Sequence, residues 1–234
     1  MININRESIK IIAFDADDTL WINEPYYQKA EVEFCQLLEN YLPQHSISKE
    51  LFETEMNNLS LYGYGVKGFI LCMIETASRI SAGQLSLKTA NKIIEIGQDL
   101  LRMPIELLDG VEDTLAQLNK NYKLIVATKG DLLDQERKLN NSGLQKYFHH
   151  VEIMSNKKNN DYLKLMSKLE CEAGDFLMIG NSINSDILPV LEVGAQAIHV
   201  PYHITWEHEK NDEKVKPNNF LQIESLAQLL PILL

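Results

Sequence analysis

The sequence is short of basic charge, and this shortage excludes two classes of partner. Lysine and arginine together number 22, against 33 aspartates and glutamates, and the formal net charge is -11. Wrapping nucleic acid requires a basic face, and anionic membrane surfaces attract basic rather than acidic segments. We therefore expect neither nucleic acid nor a membrane among the partners of this protein.

Long apolar runs and cysteines are also scarce. No apolar segment approaches the ~20 residues of a membrane-spanning helix, and the first residues lack the basic region and apolar stretch of a signal peptide. The cysteines Cys35, Cys72 and Cys171 are odd in number and far apart, which is typical of buried free thiols in a reducing compartment. These features predict a cytoplasmic protein without a disulfide framework.

What the sequence does contain is an apolar run, residues 9–14, that ends in three carboxylates: Asp15, Asp17 and Asp18. An ionised carboxylate is costly in an apolar core, so these acids should follow the end of a buried strand. Side chains alternate along an extended chain, which places Asp15 and Asp17 on the same side. Such a pair suits a hard cation, an acid/base pair or both, although a solvated acidic turn explains the acids alone equally well.

The next eighty residues have helical periodicity and no clear strand. Pro43 closes a first helix, Ser48 is a candidate cap for a second helix that runs to about residue 58, and Ser86 is a candidate cap for a last helix. A further apolar helix is predicted over 66–80. We expect an all-helical domain over residues 22–104.

Strands and helices alternate after Pro104, which is typical of a parallel sheet covered on both faces. Strands are predicted over 123–127, 151–154, 176–179 and 196–200, with helices over 111–119, 132–141, 161–169, 186–192 and 226–234. We therefore expect an α/β core of Rossmann-like topology, built from residues 1–21 and 105–234 and interrupted by the helical domain. The mixed-charge stretch 210–216 should form a solvated loop.

Polar side chains follow four of the predicted strands. They are Asp15 and Asp17; Thr128 and Lys129; Lys157 and Lys158; and Asn181 and Asp186. The carboxyl ends of parallel strands share one edge of a sheet, where open α/β sheets bind ligands. Together these groups suit phosphoryl transfer: a carboxylate nucleophile, a second carboxyl as acid and base, a magnesium ion, and a hydroxyl and an ammonium that neutralise phosphate oxygens.

The first motif, Asp15-Ala16-Asp17-Asp18-Thr19, resembles that of the haloacid dehalogenase (HAD) superfamily. The strand-end Thr, the Lys and the late Gly-Asn-Ser-x-x-x-Asp follow in the superfamily's order, and the helical block stands where many members carry a cap. The resemblance implies a HAD-like core with a helical cap and a Mg²⁺-dependent phosphatase. It also implies an aspartyl-phosphate intermediate and a small phosphorylated metabolite as substrate.

The resemblance also implies roles for single residues. Asp15 would be the nucleophile, and Asp17 the general acid/base, with its backbone carbonyl on the metal. Thr128 and the backbone N–H of Lys129 would bind phosphate. Lys157 would bind both Asp15 and the phosphate, with Lys158 as the rival for this role; the spacing from Lys157 to Tyr162 favours Lys157.

Magnesium would be held by Asp15, Asp17, Asp186 and Asn181. Position 181 departs from the superfamily, where many members have Asp, so we expect somewhat weaker magnesium binding. Asn181 could instead only shape the turn before the next helix. Asp18 is expected to serve as a turn or cap residue.

Asp17 favours a phosphatase over a dehalogenase, because dehalogenases of this superfamily lack the second acid of the first motif. A phosphate ester's leaving oxygen needs a proton, whereas a halide does not. A phosphomutase would use the same residues and remains the alternative. A non-catalytic phosphate-binding module is disfavoured, since it would not need Asp17, Thr128 and a lysine together.

Two other segments carry weaker signals. The stretch 62–67 combines tyrosines and glycines with Lys67, which could bind an anionic substrate group; otherwise the tyrosines pack between helices and Lys67 is solvated. The late cluster of His203, Trp206, His208 and Glu209 favours a surface or packing role over a metal site. A monomer and a homodimer are both compatible with the sequence.

Overall fold

The computed structural model describes residues 4–211, 215 and 219–234. Two compact units divide the chain. The first comprises residues 1–24, 105–129 and 135–234; the second comprises residues 25–104 together with 130–134. The stretch 210–216, predicted to be a solvated loop, lies partly outside the described residues.

The helices and strands follow the predicted order, with one strand, β6, that was not predicted. In chain order they are β1 (Ile11–Phe14), α1 (Glu24–Leu37), α2 (Gln44–Tyr62), α3 (Val66–Ile80), α4 (Leu87–Arg102), α5 (Val111–Leu118), β2 (Lys123–Lys129), α6 (Leu132–Ser142), β3 (His150–Met154), α7 (Asn159–Lys168), β4 (Phe176–Gly180), α8 (Leu188–Glu192), β5 (Gln196–His199), β6 (Phe220–Gln222) and α9 (Leu230–Leu233).

The first unit is built on a parallel sheet with strand order β3-β2-β1-β4-β5-β6. Every neighbouring pair among these strands is parallel, so the predicted α/β fold with a parallel sheet is confirmed. The first strand lies between β2 and β4. The chain therefore leaves β1 at the middle of the edge formed by the strand carboxyl ends, where such sheets bind ligands.

The apolar run of β1 is explained by burial on both faces. Ile12 and Phe14 belong to one hydrophobic cluster, whereas Ile11 and Ala13 belong to another. Their side chains alternate between the two faces of the sheet, and all four are at least nine-tenths buried. At roughly 1.5–3 kcal/mol for each large apolar side chain, this burial fixes β1 firmly and with it the acids that follow.

The second unit contains α1 to α4 around a core of its own. Phe34, Ile47, Met73 and Ile93 are fully buried there. The predicted cap of α4 is confirmed, because the Ser86 hydroxyl accepts the N–H of Thr89 at 3.0 Å.

The predicted cap of α2 is wrong. This helix begins at Gln44, directly after Pro43. The Pro43 carbonyl accepts the backbone N–H groups of Ser46 and Ile47 at 2.9 and 3.1 Å, so the first turn starts before Ser48. Proline suits this place, because its backbone angle is preset and it needs no donor of its own at a helix start. Ser48 lies inside the helix, and its hydroxyl donates to the Glu31 carboxylate.

The three cysteines are free thiols, and none of the described helices is long and apolar enough to cross a membrane. Burial raises the pKa of Cys35 to about 11 and that of Cys72 to about 12, with nearby glutamates adding to the rise. Such thiols are poor nucleophiles near neutral pH, because the thiolate is the reactive form.

Candidate active site

Asp15 directly follows β1 and lies at the centre of a buried charge cluster. Its backbone N–H donates to the Ile179 carbonyl at 2.9 Å, which extends the ladder one residue past the strand. The Lys157 ammonium donates to the Asp15 carboxylate and, at 2.6 Å, to Oδ1 of Asp186. The structure thus brings together three predicted site residues that follow three different strands.

Of the two candidate lysines, Lys157 is the one that reaches this cluster. Its side chain is 1% exposed, whereas Lys158 is exposed, directly precedes α7 and has its backbone N–H bonded to the Asp161 carboxylate. Tyr162 packs behind the cluster, and its hydroxyl donates to the Ser185 carbonyl at 2.8 Å. The preference for Lys157 therefore has a geometric basis.

The charges of this cluster do not balance. Asp15 and Asp186 are two buried carboxylates that share one ammonium. Burial raises the pKa of Asp15 to about 7; Lys157 counteracts this rise, while the Asp186 carboxylate adds to it. The pKa of Lys157 is raised, because the two carboxylates outweigh the opposing effect of burial. One negative charge is left without a cation within this group of three.

Asp186 is placed by a tight turn after β4. The turn Ile183–Ile187 is wound more widely than an α-helix, and the Ser182 backbone N–H donates to Oδ2 of Asp186 at 3.0 Å. Gly180 is required by close approach, since a Cβ at this position would lie 2.2 Å from Oδ2 of Asp186. Any larger residue would displace the carboxylate.

The Asn181 side chain contacts the first motif through the Thr19 hydroxyl. The Thr19 hydroxyl lies 3.2 Å from Oδ1 of Asn181 and 3.5 Å from Oδ2 of Asp15. The Asn181 carbonyl lies 3.0 Å from Nε2 of His199, in β5. Asn181 is therefore held at the same strand edge as Asp15.

The Asp17 carboxylate is held by donors on three side chains. Trp21 Nε1 lies 2.7 Å from Oδ1, Lys138 Nζ lies 2.9 Å from Oδ1, and Gln135 Nε2 lies 2.7 Å from Oδ2. Gln135 and Lys138 both belong to α6, three residues apart and therefore on one helix face. Neither residue was among the predicted site residues, although both lie in the helix that directly follows the end of β2.

The Asp18 carboxylate caps a turn, as expected. Its carboxylate accepts the backbone N–H groups of Asn23 and Glu24 at 2.9 and 3.0 Å, which caps the start of α1. Its φ of 57° lies in the left-handed region, which Asp tolerates better than most residues.

Thr128 and Lys129 end β2 at the same edge. Thr128 is buried, and its hydroxyl lies 3.3 Å from the Lys129 carbonyl. The Lys129 ammonium donates to Ser185 Oγ at 2.8 Å and to the Glu209 carboxylate. The Lys129 side chain therefore links the end of β2 to the turn that carries Asp186.

Lys67 belongs to the helical unit. Its ammonium lies 2.9 and 3.0 Å from the two carboxylate oxygens of Asp131, and its side chain is 56% exposed. In the same segment, the Tyr62 hydroxyl lies 3.3 Å from the Glu75 carboxylate. Lys67 thus has an anionic partner within its own unit.

Comparison with known proteins identifies the family of this chain. Residues 9–194, well over half of the chain, match the family model of the haloacid dehalogenase-like hydrolases. The chain belongs to this family. The predicted superfamily resemblance is confirmed, and the site at the strand edge is the candidate active site of a HAD-like hydrolase.

Individual relatives of this hydrolase cover nearly its whole length. It is 24% identical over 238 residues to the Escherichia coli (strain K12) 5-amino-6-(5-phospho-D-ribitylamino)uracil phosphatase YigB, covering 96% of each chain. A haloacid dehalogenase-like family hydrolase from Xanthomonas campestris is 34% identical, with a TM-score of 0.86 and coverage of 97% of this chain and 92% of that chain.

The fold is also shared with a 2-haloacid dehalogenase from Pseudomonas syringae pv. tomato DC3000. The TM-score is 0.62 at 21% identity, with coverage of 96% of this chain and 98% of that chain. This likeness concerns the fold alone, so the choice between phosphate and halide chemistry depends on the site residues.

The donors at the site of this hydrolase fit a magnesium ion. Asp15 and Asp186 offer carboxylate oxygens and Asn181 an amide oxygen, and the carboxylates carry the unbalanced negative charge described above. Within the described ranges, no three His, Cys, Asp or Glu side chains gather as a metal site. The two carboxylates and the amide oxygen suit Mg²⁺, which proteins commonly bind through one or two carboxylates, with water and substrate phosphate completing the shell.

One residue of the late cluster, Glu209, contacts side chains at the candidate site. The Trp206 and His208 rings pack at a centroid distance of 5.0 Å, as expected for a packing role. Glu209, however, accepts hydrogen bonds from Lys129, Ser182 and Ser185. The sequence carried no signal for this contact, because Glu209 lies 80 residues from Lys129 along the chain.

Proposed function

We propose that this hydrolase is a Mg²⁺-dependent phosphatase that hydrolyses a small phosphorylated metabolite through an aspartyl-phosphate on Asp15. The observation that carries the proposal is Asp17, a second acid two residues after the nucleophile, held by donors from Trp21, Gln135 and Lys138. The leaving oxygen of a phosphate ester needs a proton, whereas a halide does not. A site that keeps this second acid in a fixed place is suited to phosphate esters.

The reaction proceeds in two half-reactions. First, a carboxylate oxygen of Asp15 attacks phosphorus, the bond from phosphorus to the ester oxygen breaks, and Asp17 gives its proton to that leaving oxygen. Second, water attacks the phosphorus of the aspartyl-phosphate, the Asp17 carboxylate takes a proton from the water, and the bond from phosphorus to Asp15 breaks. Inorganic phosphate leaves, and both acids return to their starting states.

The remaining residues bind and neutralise the phosphate. The Thr128 hydroxyl and the Lys129 backbone N–H donate to its oxygens, and the Lys157 ammonium holds both the phosphate and Asp15 in line. Asp15, Asp186, Asn181 and the backbone carbonyl of Asp17 would hold the metal. When bound, Mg²⁺ supplies the positive charge that lets an anionic phosphate approach an anionic nucleophile.

The substrate class follows from the same chemistry. YigB is named as a phosphatase of a phosphorylated ribityl compound, and its likeness over the whole chain supports a small phosphorylated metabolite here. Lys67, in the helical unit, is the candidate for binding a second anionic group of that metabolite. We further propose that the protein acts in the cytoplasm as a monomer or a homodimer.

The test is hydrolysis of p-nitrophenyl phosphate with Mg²⁺ and with excess chelator. We expect activity that requires Mg²⁺ and is abolished in Asp15→Asn. The matched control is Asp175→Asn, whose carboxylate pairs with Lys10 outside the site and which should keep wild-type activity. Activity that survives chelation or Asp15→Asn would contradict the mechanism.

Two further assays separate the alternatives. Chloride release from 2-chloropropanoate without phosphate ester hydrolysis would favour a dehalogenase. Transfer of the phosphoryl group between sugar hydroxyls, with little release of inorganic phosphate, would favour a phosphomutase. We expect neither result, and a screen of phosphorylated metabolites should then name the substrate.

A further inference from the structure

The carboxylate of Glu209 joins residues that follow two different strands. It lies in the short helical turn Glu207–Glu209, in the segment after β5. It accepts hydrogen bonds from the Lys129 ammonium at the end of β2 and from the hydroxyls of Ser182 and Ser185 after β4. The side chains of Glu209 and Lys129 are each 12% exposed. The contact is therefore a largely buried ion pair within the first unit.

Both serine hydroxyls are used as donor and acceptor. The Ser182 hydroxyl accepts the backbone N–H of Ser185 at 3.1 Å and donates to Glu209. The Ser185 hydroxyl accepts from the Lys129 ammonium at 2.8 Å and donates to Glu209 at 2.9 Å. An ionised carboxylate can only accept, so Glu209 sets the direction of these bonds.

Both serines also contact or adjoin Asp186, whose carboxylate is expected to bind magnesium. The Ser182 backbone N–H donates to Oδ2 of Asp186 at 3.0 Å, and Ser185 directly precedes Asp186 in the turn. Lys157 holds Oδ1 of Asp186 at 2.6 Å. The turn is thus attached to the active-site lysine through Asp186 and to Glu209 through the two serines.

We propose that Glu209 is a positioning residue, whose carboxylate fixes the turn 182–186 against the end of β2 and thereby sets the place of Asp186 for the metal and of Lys129 for the phosphate. This role rests on the proposed phosphatase function. Glu209 touches neither reacting group and acts through Ser182, Ser185 and Lys129. Removing the partners that orient metal-binding side chains typically lowers metal affinity or activity by about 10-fold to 100-fold.

The test uses Glu209→Gln in the full-length protein, with Glu152→Gln as the matched control. Glu152 also accepts hydrogen bonds from a lysine and a second residue, Lys168 and His150, but it lies in β3 away from the turn. Calorimetric titration of the substrate-free protein with Mg²⁺ alone, and kcat and KM for p-nitrophenyl phosphate, are measured below the melting temperature of each variant. We expect Glu209→Gln to weaken Mg²⁺ binding and to lower kcat by roughly 10-fold, and Glu152→Gln to keep both at wild-type values.

A second variant keeps the proposal testable if Glu209→Gln does not fold. Ser182→Ala leaves the Glu209–Lys129 ion pair in place but cuts one link between Glu209 and the turn, and we expect it to weaken Mg²⁺ binding in the same direction. Wild-type Mg²⁺ affinity and kcat in either folded variant, with only a lower melting temperature, would overturn the positioning role while leaving the proposed function intact. Wild-type protein that neither binds Mg²⁺ nor hydrolyses the ester would overturn the proposed function itself, and this role with it.

Discussion

Lys138 Nζ lies 2.9 Å from Oδ1 of Asp17, and the same ammonium lies 2.7 Å from the side-chain oxygen of Asn23. The Lys138 side chain is only 11% exposed, so water screens this pair weakly. Lys138 therefore ties the proposed acid/base to the chain segment that leads into α1. A misplacement of about 1 Å in a catalytic group can cost roughly 100-fold in rate, so this tie has a measurable consequence.

We predict that Lys138→Met lowers kcat by roughly 10-fold to 100-fold for an alkyl phosphate such as glycerol phosphate, and much less for p-nitrophenyl phosphate. The reason is that an alkoxide needs a proton from Asp17 to leave, whereas p-nitrophenolate leaves readily without one. Lys138→Arg should recover part of the lost rate. Steady-state kinetics on the two substrates measure the difference. Lys146→Met, at an exposed pair with Glu112, is the control, and equal losses on both substrates in Lys138→Met would contradict the prediction.

Gly180 gives a second prediction, because its missing side chain leaves room for Asp186. A Cβ at position 180 would lie 2.2 Å from Oδ2 and 2.7 Å from Cβ of Asp186. Gly180→Ala should therefore displace the carboxylate, lower kcat at least 10-fold and destabilise the fold by about 1–3 kcal/mol through overpacking.

Gly174→Ala is the control for this substitution, since a Cβ at that position would meet nothing within 4 Å. Thermal unfolding and kcat are measured for both variants. Unchanged activity in a folded Gly180→Ala protein would show that the Asp186 position is not critical.

The sheet could be predicted from the sequence because its signals are local. The alternation of strands and helices after Pro104 and the two-sided burial of β1 both follow from short apolar patterns, and the parallel sheet confirms them. The helix starts were predicted less well. Ser86 caps α4 as expected, whereas α2 starts at Gln44 after Pro43, because a proline with preset backbone angles begins a helix as effectively as a serine cap.

The site could be predicted in part, for a topological reason. Parallel strand ends share an edge, so Asp15, Lys157 and Asp186 were expected to meet, and the contacts of Lys157 bring them together. Their chemical roles stay predictions. Glu209 could not be placed from the sequence, because its contact with Lys129 depends on the path of an irregular segment after β5.

The Lys67–Asp131 pair gives a prediction on pH. Burial acts to raise the pKa of Asp131, but hydrogen bonds from Lys67 and from two backbone N–H groups, together with the Lys67 charge, lower it below its ordinary value of 3.8. A carboxyl whose folded pKa is lowered contributes stability that is fully present above its unfolded pKa and is lost as the pH falls through the folded value. The contribution of the Lys67–Asp131 pair to the free energy of unfolding should therefore be constant near neutral pH and vanish in acid.

We expect Lys67→Met to lower the free energy of unfolding by roughly 0.5 kcal/mol at neutral pH, the size of an exposed ion pair. The difference from wild type should shrink as the pH falls below the ordinary Asp131 value of 3.8 and disappear where Asp131 is protonated in both folded proteins. Urea unfolding at several pH values measures this, with Lys49→Met as the control, because the Lys49–Glu53 contact is exposed and longer, at 3.8 Å. If Lys67→Met lowers the free energy of unfolding by the same amount in acid as at neutral pH, Lys67 stabilises the helical unit by packing and not by charge.

Asn181 provides the most direct test of the magnesium assignment. Its amide oxygen is held near Asp15 through the Thr19 hydroxyl, at 3.2 Å, and an aspartate would fit the same space with one more negative charge. Hard cations bind more tightly as the charge of their ligands grows, so Asn181→Asp should tighten Mg²⁺ binding by roughly 10-fold, equivalent to about 1.4 kcal/mol. Calorimetric titration of the protein with Mg²⁺ measures the change. Asn184→Asp adds the same charge at an exposed position of the same turn, so an equal gain in both variants would mean a general field effect, and no gain at position 181 would place the metal away from this residue.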